Sequence, residues 1–255
     1  MMDAKDMKTL LKVEDLSVDV GSTHILKGLN LSVDRGEVIL LLGPNGSGKS
    51  TFLHTLIGDP RYKLVSGRII FDGVDISQLP MSDRVKLGLS LGFQFPPKIR
   101  GITLRFLAEK ILEKRGLTKG ETSRLIEKYS HILNLDYLLD KDLYVGYSGG
   151  EIKRAELMLT LLQAPKLLML DEPDSGVDVE NLALVGSAIS SYLSEDDSRS
   201  AIIITHTGYI GKYIKAMRAY VMVDGRIVCR GDPEILVSNI LEHGFEKCFK
   251  CEGIR

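Results

Sequence analysis

Cysteine is scarce in this chain of 255 residues, and its three copies, Cys229, Cys248 and Cys251, form an odd, late cluster. That argues against a disulfide framework. Cys248-Phe249-Lys250-Cys251 is a lone C-x-x-C pair, whereas zinc or an iron–sulfur cluster usually takes four ligands. Only Cys229 and His243 lie near enough in sequence to complete a set, so the reading is ordinary thiols. An excess of one charge is missing too: 33 Lys and Arg stand against 34 Asp and Glu, a net charge of −1. Such a balance offers no electrostatic footprint for nucleic acid. Long apolar runs are absent. Val38–Leu42 and residues 201–204 are strand-length, far short of the ~20 residues of a membrane span. The first six residues, Met1-Met2-Asp3-Ala4-Lys5-Asp6, carry no apolar targeting core, so the expectation is a cytoplasmic protein with no direct membrane insertion. No internal repeat or low-complexity segment is visible, and no Phe, Tyr or Trp precedes Phe52.

What remains is an ordinary globular composition, 44% hydrophobic and 26% charged, long enough for one large α/β domain or one domain with an insertion. Residues 16–20 and 29–33 alternate apolar and polar side chains, as half-buried strands do. Val38–Leu42 is an apolar strand. Residues 68–71 read as a strand ended by the turn Asp72-Gly73, and 89–93 as a short strand ending at Gln94. Pro96-Pro97 and Gly101 then break the pattern, and helical spacing appears over Leu104–Lys114 and 122–133. From Lys166 strands and helices alternate again: strand 167–170, helix 181–193, strand 202–205, helix 209–216, and a hairpin over 220–229 turning at Asp224-Gly225. Pro233 starts a last helix. Such alternation implies a mostly parallel sheet covered on both faces by helices.

The chemistry concentrates in a few places. Gly43-Pro44-Asn45-Gly46-Ser47-Gly48-Lys49-Ser50-Thr51 fits G-x-x-x-x-G-K-[ST]. The apolar strand lies before it. After it Phe52, Leu53, Leu56 and Ile57 are spaced as on one face of a helix that Gly58 would end. Glycines let consecutive N–H groups turn inward onto phosphate oxygens, and the helix N-terminus adds its dipole. Lys49 is expected at the β- and γ-phosphates and the Ser50 hydroxyl on Mg²⁺. Downstream, an apolar strand runs into Asp171 and Glu172. Burial explains the aliphatic residues but not two acids at a strand end, where α/β sheets bind ligands. Asp171 can hold Mg²⁺ through oxygen, and Glu172 can orient and deprotonate a water. Gln94 and His206 also end strands; alone, each reads as a surface amide and a structural histidine. Ser148-Gly149-Gly150-Glu151 opens a helix with a capping box, and its exposed N–H groups also suit an anion.

In this order, the phosphate loop, Gln94, Ser148-Gly149-Gly150-Glu151, Leu170-Asp171-Glu172-Pro173, Ser175-Gly176-Val177-Asp178 and His206 resemble the ATP-binding-cassette ATPases over nearly the whole chain. The resemblance implies a P-loop NTPase cassette: a mostly parallel α/β core with an N-terminal antiparallel β subdomain and an inserted helical subdomain. Residues 1–95 and 164–255 would form the nucleotide-binding core, and 96–163 the helical subdomain with the signature motif. It implies ATP and Mg²⁺ as cofactors, Asp171 and Gln94 in the metal site, Glu172 as catalytic base, and Gln94 and His206 as γ-phosphate sensors. Ser148 and Gly150 would contact ATP on the opposite subunit of a transient ATP-dependent homodimer, and Asp178 would close the loop linking the two sites. Within that superfamily three segments are most similar to the SufC-type ATPases of iron–sulfur cluster assembly. They are Phe93-Gln94-Phe95-Pro96 with Ile99 and Gly101, residues 147–154, and residues 171–178. Asp174-Ser175-Gly176 weighs most, since transporter cassettes more often carry Thr-Ser-Ala there. This implies partners of the SufB/SufD scaffold type; a membrane-transporter subunit is the alternative. One departure stands out. Cassettes usually stack adenine on an aromatic ring upstream of the phosphate loop, and here His24 is the only ring available.

Overall fold

The computed structural model describes residues 8–93, 96–176, 178–205 and 208–245. The chain opens with β1 (Thr9–Val20) and β2 (Thr23–Asp34), which pair antiparallel; β4 (Tyr62–Phe71) and β5 (Val74–Asp75) complete a four-stranded sheet in the order β2-β1-β4-β5. A second sheet holds β3 (Val38–Leu42), β6 (Leu89–Leu91), β7 (Leu167–Asp171), β8 (Ser200–Ile204), β9 (Arg218–Val223) and β10 (Arg226–Gly231). Its order is β10-β9-β3-β8-β7-β6; every neighbour pair is parallel except the β9–β10 hairpin. Helix α1 (Lys49–Ile57) follows β3, and α2 (Met81–Leu87) precedes β6. Between β6 and β7 the described chain forms α3 (Leu104–Lys114), α4 (Lys119–Ile132) and α5 (Gly149–Leu162), with one isolated bridge, Thr103–Asp142, and no strand. Helices α6 (Val179–Ser194) and α7 (Pro233–His243) complete the chain. No described helix is long and apolar enough to cross a membrane.

The parallel strands are apolar on both faces because both faces are buried. Side chains alternate between them. Val38, Leu40 and Leu42 of β3 join the core shared with α3, α4, α5 and α6. Ile39 and Leu41 join the other core, with α1 and the antiparallel sheet. The same division runs through β7, β8 and β9. Register then aligns the strand exits: Ile204 of β8 sits beside both Leu41 and Asp171. The loops that leave β3, β6, β7 and β8 therefore emerge on one edge.

Local signals explain most boundaries. Gly58 ends α1 at φ 84°, Thr118 and Glu121 form a capping box on α4, and Asp232 caps α7 just before Pro233. The structure departs from expectation at five points. β1 and β2 each run 12 residues, longer than their alternating stretches, because bulges near Glu14–Ser17 and a left-handed Asp15 break the period. β4 begins at Tyr62, six residues before the expected start, and α2 was not anticipated. β6 stops at Leu91 rather than 93: the Phe93 N–H goes to the Glu156 carboxylate, not to a neighbouring strand. The expected helix over 209–216 is only a 3-10 turn, Tyr209–Lys212. Ile210 and Ile214 both reach the core four residues apart, which mimics helical spacing, but the turn starts from a left-handed Gly208 and ends at Tyr213.

Candidate nucleotide-binding site

The loop from β3 into α1 is folded as a cradle. Gly43 has φ 153°, and a Cβ there would lie 2.2 Å from the Met222 carbonyl and 2.9 Å from Ser47 Oγ. Gly48 caps α1 at φ 104°, and its absent Cβ would press on Leu26. No side chain caps α1 and no acid occupies its first turn, so its leading N–H groups are left to an anion. Lys49 is 5% exposed and its Nζ donates to the carbonyls of Gly43 and Pro44 at 2.8 and 2.9 Å. Burial lowers its pKa, while the charges of Glu172 and Asp171 hold it up.

Asp171 ends β7 facing this loop. Burial raises its pKa, a hydrogen bond from Ser50 lowers it, and the Glu172 charge raises it further. Among the described residues, two buried side-chain oxygens here have no hydrogen-bond partner: Ser47 Oγ and Asp171 Oδ1. Buried polar atoms seldom stay unpaired. A hard cation beside Ser50 and Asp171, with phosphate oxygens over the loop, would satisfy both, so these residues fit Mg²⁺ and a nucleotide.

Glu172 adopts φ 52°, the left-handed region, uncommon for a side chain of this size. Its N–H extends the sheet ladder to Ile204 at 3.1 Å. Its carbonyl accepts from Lys153 Nζ at 3.1 Å, and Lys153 also reaches the Ser175 carbonyl. A cavity of about 40 Å³ beside these loops is lined by Gly92, Phe93, Lys153, Glu156, Asp171 and Glu172 among others.

Ser148 caps α5, with Glu151 closing the box: Ser148 N donates to Glu151 Oε2 at 2.6 Å and Glu151 N to Ser148 Oγ at 3.3 Å. The Tyr137 hydroxyl, then Ser148, hold the Glu151 pKa down at about 2. Gly149 is open, and a Cβ on Gly150 would lie 3.3 Å from Asn181 Nδ2. Asn181 in turn donates twice to Asp178, at 2.8 Å each, as Asp178 caps α6. The structure thus brings Gly150 and Asp178 together through Asn181. Among the described residues no hydrogen bond joins Ser148–Gly150 to the phosphate loop. Gln94 and His206, expected at the same strand exits, lie outside the described residues, as do Cys248 and Cys251. Cys229 is buried in β10. His24 is 47% exposed in its side chain and bonds Asp19 at 2.6 Å.

Three residues at these exits escaped the sequence reading. Thr205 donates to Asp174 at 2.5 Å and accepts from Gly208 N at 2.9 Å, so it fastens the β8 exit to the loop after β7. Lys153 and Glu156 lie on one face of α5. The only sequence signal for Glu156 is an acid standing between Ala155 and the apolar Leu157-Met158-Leu159.

The family described as ABC transporter matches residues 26–175, which contain the phosphate loop, Ser148–Gly150, Asp171 and Glu172. The chain belongs to the ABC transporter family. This cassette is an ATPase with a P-loop NTPase α/β fold. It is 38% identical over 244 residues to the probable ATP-dependent transporter SufC of Escherichia coli K12, covering 92% of this chain and 97% of that one. It is 37% identical over 230 residues to a probable ABC transporter ATP-binding protein of Streptococcus pyogenes serotype M18, covering 88% and 89%. Among solved structures, cbiO1 from Clostridium perfringens, part of the ABC transporter complex cbiONQ, superposes with a TM-score of 0.74 at 27% identity over 96% of this chain and all of that one.

Proposed function

We propose that this ATPase binds and hydrolyses Mg-ATP at a homodimer interface to rearrange a soluble scaffold of the SufB/SufD type during iron–sulfur cluster assembly. The observation that carries the choice is Asp174. Its carboxylate accepts the Thr205 hydroxyl at 2.5 Å and so fastens the β7 and β8 exits, within the Asp-Ser-Gly segment that resembles the SufC-type ATPases. The SufC relative supports the same reading.

In this mechanism the α1 N-terminus and Lys49 hold the phosphates, with Gly43 to Thr51 shaping the cradle. Ser50 and Asp171, with Gln94, would hold Mg²⁺, which when bound offsets phosphate charge and polarises the terminal phosphoryl group. Glu172 takes the proton of the attacking water, a general-base role typically worth ~10²–10⁴-fold. Gln94 and His206 sense the γ-phosphate. Ser148, Gly149, Gly150 and Asp178 act across the dimer, so a lone chain holds an incomplete site. Residues 1–95 and 164–255 work as the core, and 96–163 as the helical subdomain that meets the scaffold. A scaffold carrying two copies raises their effective concentration.

The test is oxygen-free co-purification of the chain with a SufB/SufD-type scaffold from its own genome, followed by ATPase assays on complex and chain. Binding with faster hydrolysis in the complex is expected. Both relatives are named as transporter proteins, which favours a second reading, the nucleotide-binding subunit of a membrane transporter. Pairing with a permease and indifference to the scaffold would establish that one instead.

A further inference from the structure

Glu156 stands in the middle of α5 among core residues and is 9% exposed. A carboxylate in such a place must be held by donors. Two are present. Oε1 accepts the Phe93 N–H at 2.9 Å, and Oε2 accepts the Tyr144 hydroxyl at 2.5 Å.

Both donors occupy unusual places. Phe93 is one residue past the last ladder bond of the β6 edge, Gly92 N to the Met169 carbonyl at 3.1 Å, and one residue before Gln94. Without Glu156 its N–H would have no place in the sheet. Tyr144 is buried, yet its backbone sits at φ 62°, a left-handed conformation costly for a bulky side chain. It lies four residues before Ser148. One turn back along α5, Lys153 grips the Glu172 carbonyl at 3.1 Å. A single face of α5 thus holds the chain where it leaves β6 and where it leaves β7.

The geometry points to Glu156 as a positioning residue for ATP hydrolysis: its carboxylate fixes Phe93, the residue before Gln94 in sequence, and ties it to the Tyr144 segment leading to Ser148. The inference rests on the roles proposed above for Gln94 and Ser148. Those two residues serve different nucleotides in a cassette dimer, one in the chain's own site and one in its partner's. Glu156 is then a rigid strut between the two sites, set by hydrogen-bond geometry rather than by charge. The carboxamide of glutamine can replace it, because its oxygen accepts from Phe93 and its NH₂ donates to the Tyr144 oxygen.

The experiment combines two readouts on the full chain. Amide exchange of Phe93, followed by NMR without nucleotide, should be at least about tenfold faster in Glu156→Ala than in wild type, and near wild type in Glu156→Gln. With Mg-ATP, kcat should fall about 10–100-fold in Glu156→Ala, the size of a small misplacement of reacting groups, while KM stays within about twofold. Glu156→Gln should restore kcat. Tyr144→Phe removes one bond and keeps the ring; it should lower kcat at unchanged KM while the chain stays folded at the assay temperature, checked by circular dichroism, which preserves the test if Glu156→Ala misfolds. Wild-type kcat in both Glu156→Ala and Tyr144→Phe overturns the strut. So does an unchanged Phe93 exchange rate, a loss that glutamine fails to restore, or a rise in KM that accounts for the whole effect. A wild-type chain that hydrolyses no ATP either alone or with its scaffold fails the roles proposed for Gln94 and Ser148, not this bond.

Discussion

Replacing Lys49 by alanine should leave the fold standing and remove most of the affinity for ATP. The Lys49 ammonium donates to the carbonyls of Gly43 and Pro44 at 2.8 and 2.9 Å. Charge-assisted bonds are worth about 1.5–3 kcal/mol each, but burial opposes the charge, as its lowered pKa records. The two effects largely cancel, so stability should change by about 1 kcal/mol, within the ordinary range of a point mutation. The nucleotide has no such compensation. Truncating one partner of a buried, hydrogen-bonded charge pair costs about 2–5 kcal/mol. At 1.4 kcal/mol per tenfold that is a loss of ~30- to ~4,000-fold in Kd. Isothermal titration with Mg-ATP, beside a urea melt, measures both. Affinity within about threefold of wild type in a folded variant would refute the assignment of Lys49 to the phosphates.

Glu151 should give the α5 start a pH-dependent stability. Its folded pKa, about 2, lies below its ordinary value of 4.5, so its contribution is complete above 4.5 and fades as pH falls from there towards 2. The stability gap between wild type and Glu151→Ala in urea melts should therefore narrow between pH 6 and 3.5; a constant gap would contradict it. Base selectivity should be weak, because His24 is exposed and engaged by Asp19 and no other ring precedes Phe52. Stacking contributes ~1–3 kcal/mol where removed in nucleic-acid binders, so ATP and GTP affinities should agree within about tenfold; a stronger ATP preference would reveal polar contacts to the base. Glu156 and Tyr144 variants, as set out above, test the strut.

The fold class was legible because parallel strands buried on both faces leave plain traces. Val38–Leu42, Leu167–Asp171 and Ser200–Ile204 are apolar runs buried on both faces, each meeting a chemical motif at its end. Helix ends were legible too: Ser148 with Glu151, Gly58, and Pro233 use local rules that need no tertiary context. What stayed hidden depends on partners distant in sequence. The β6 boundary is decided by Glu156, sixty-three residues away, and Lys153 by carbonyls that only the fold brings near. The bulged strands β1 and β2 lose their period where Asp15 turns left-handed, so alternation understates them. The short turn at Tyr209 shows the reverse, helical spacing without a helix.

Glu172, at the end of β7, is the residue proposed to activate water against a nucleotide held by the phosphate loop. Glu172→Gln keeps the size and hydrogen-bonding reach of the side chain and cannot take the proton. The decisive measurement is one preparation of this variant with Mg-ATP, assayed for phosphate release and for mass by light scattering. Turnover should fall ~10²–10⁴-fold with ATP affinity retained and a dimer accumulating only when ATP is present. Phosphate release at the wild-type rate would place the base elsewhere, and the account would fail at its centre.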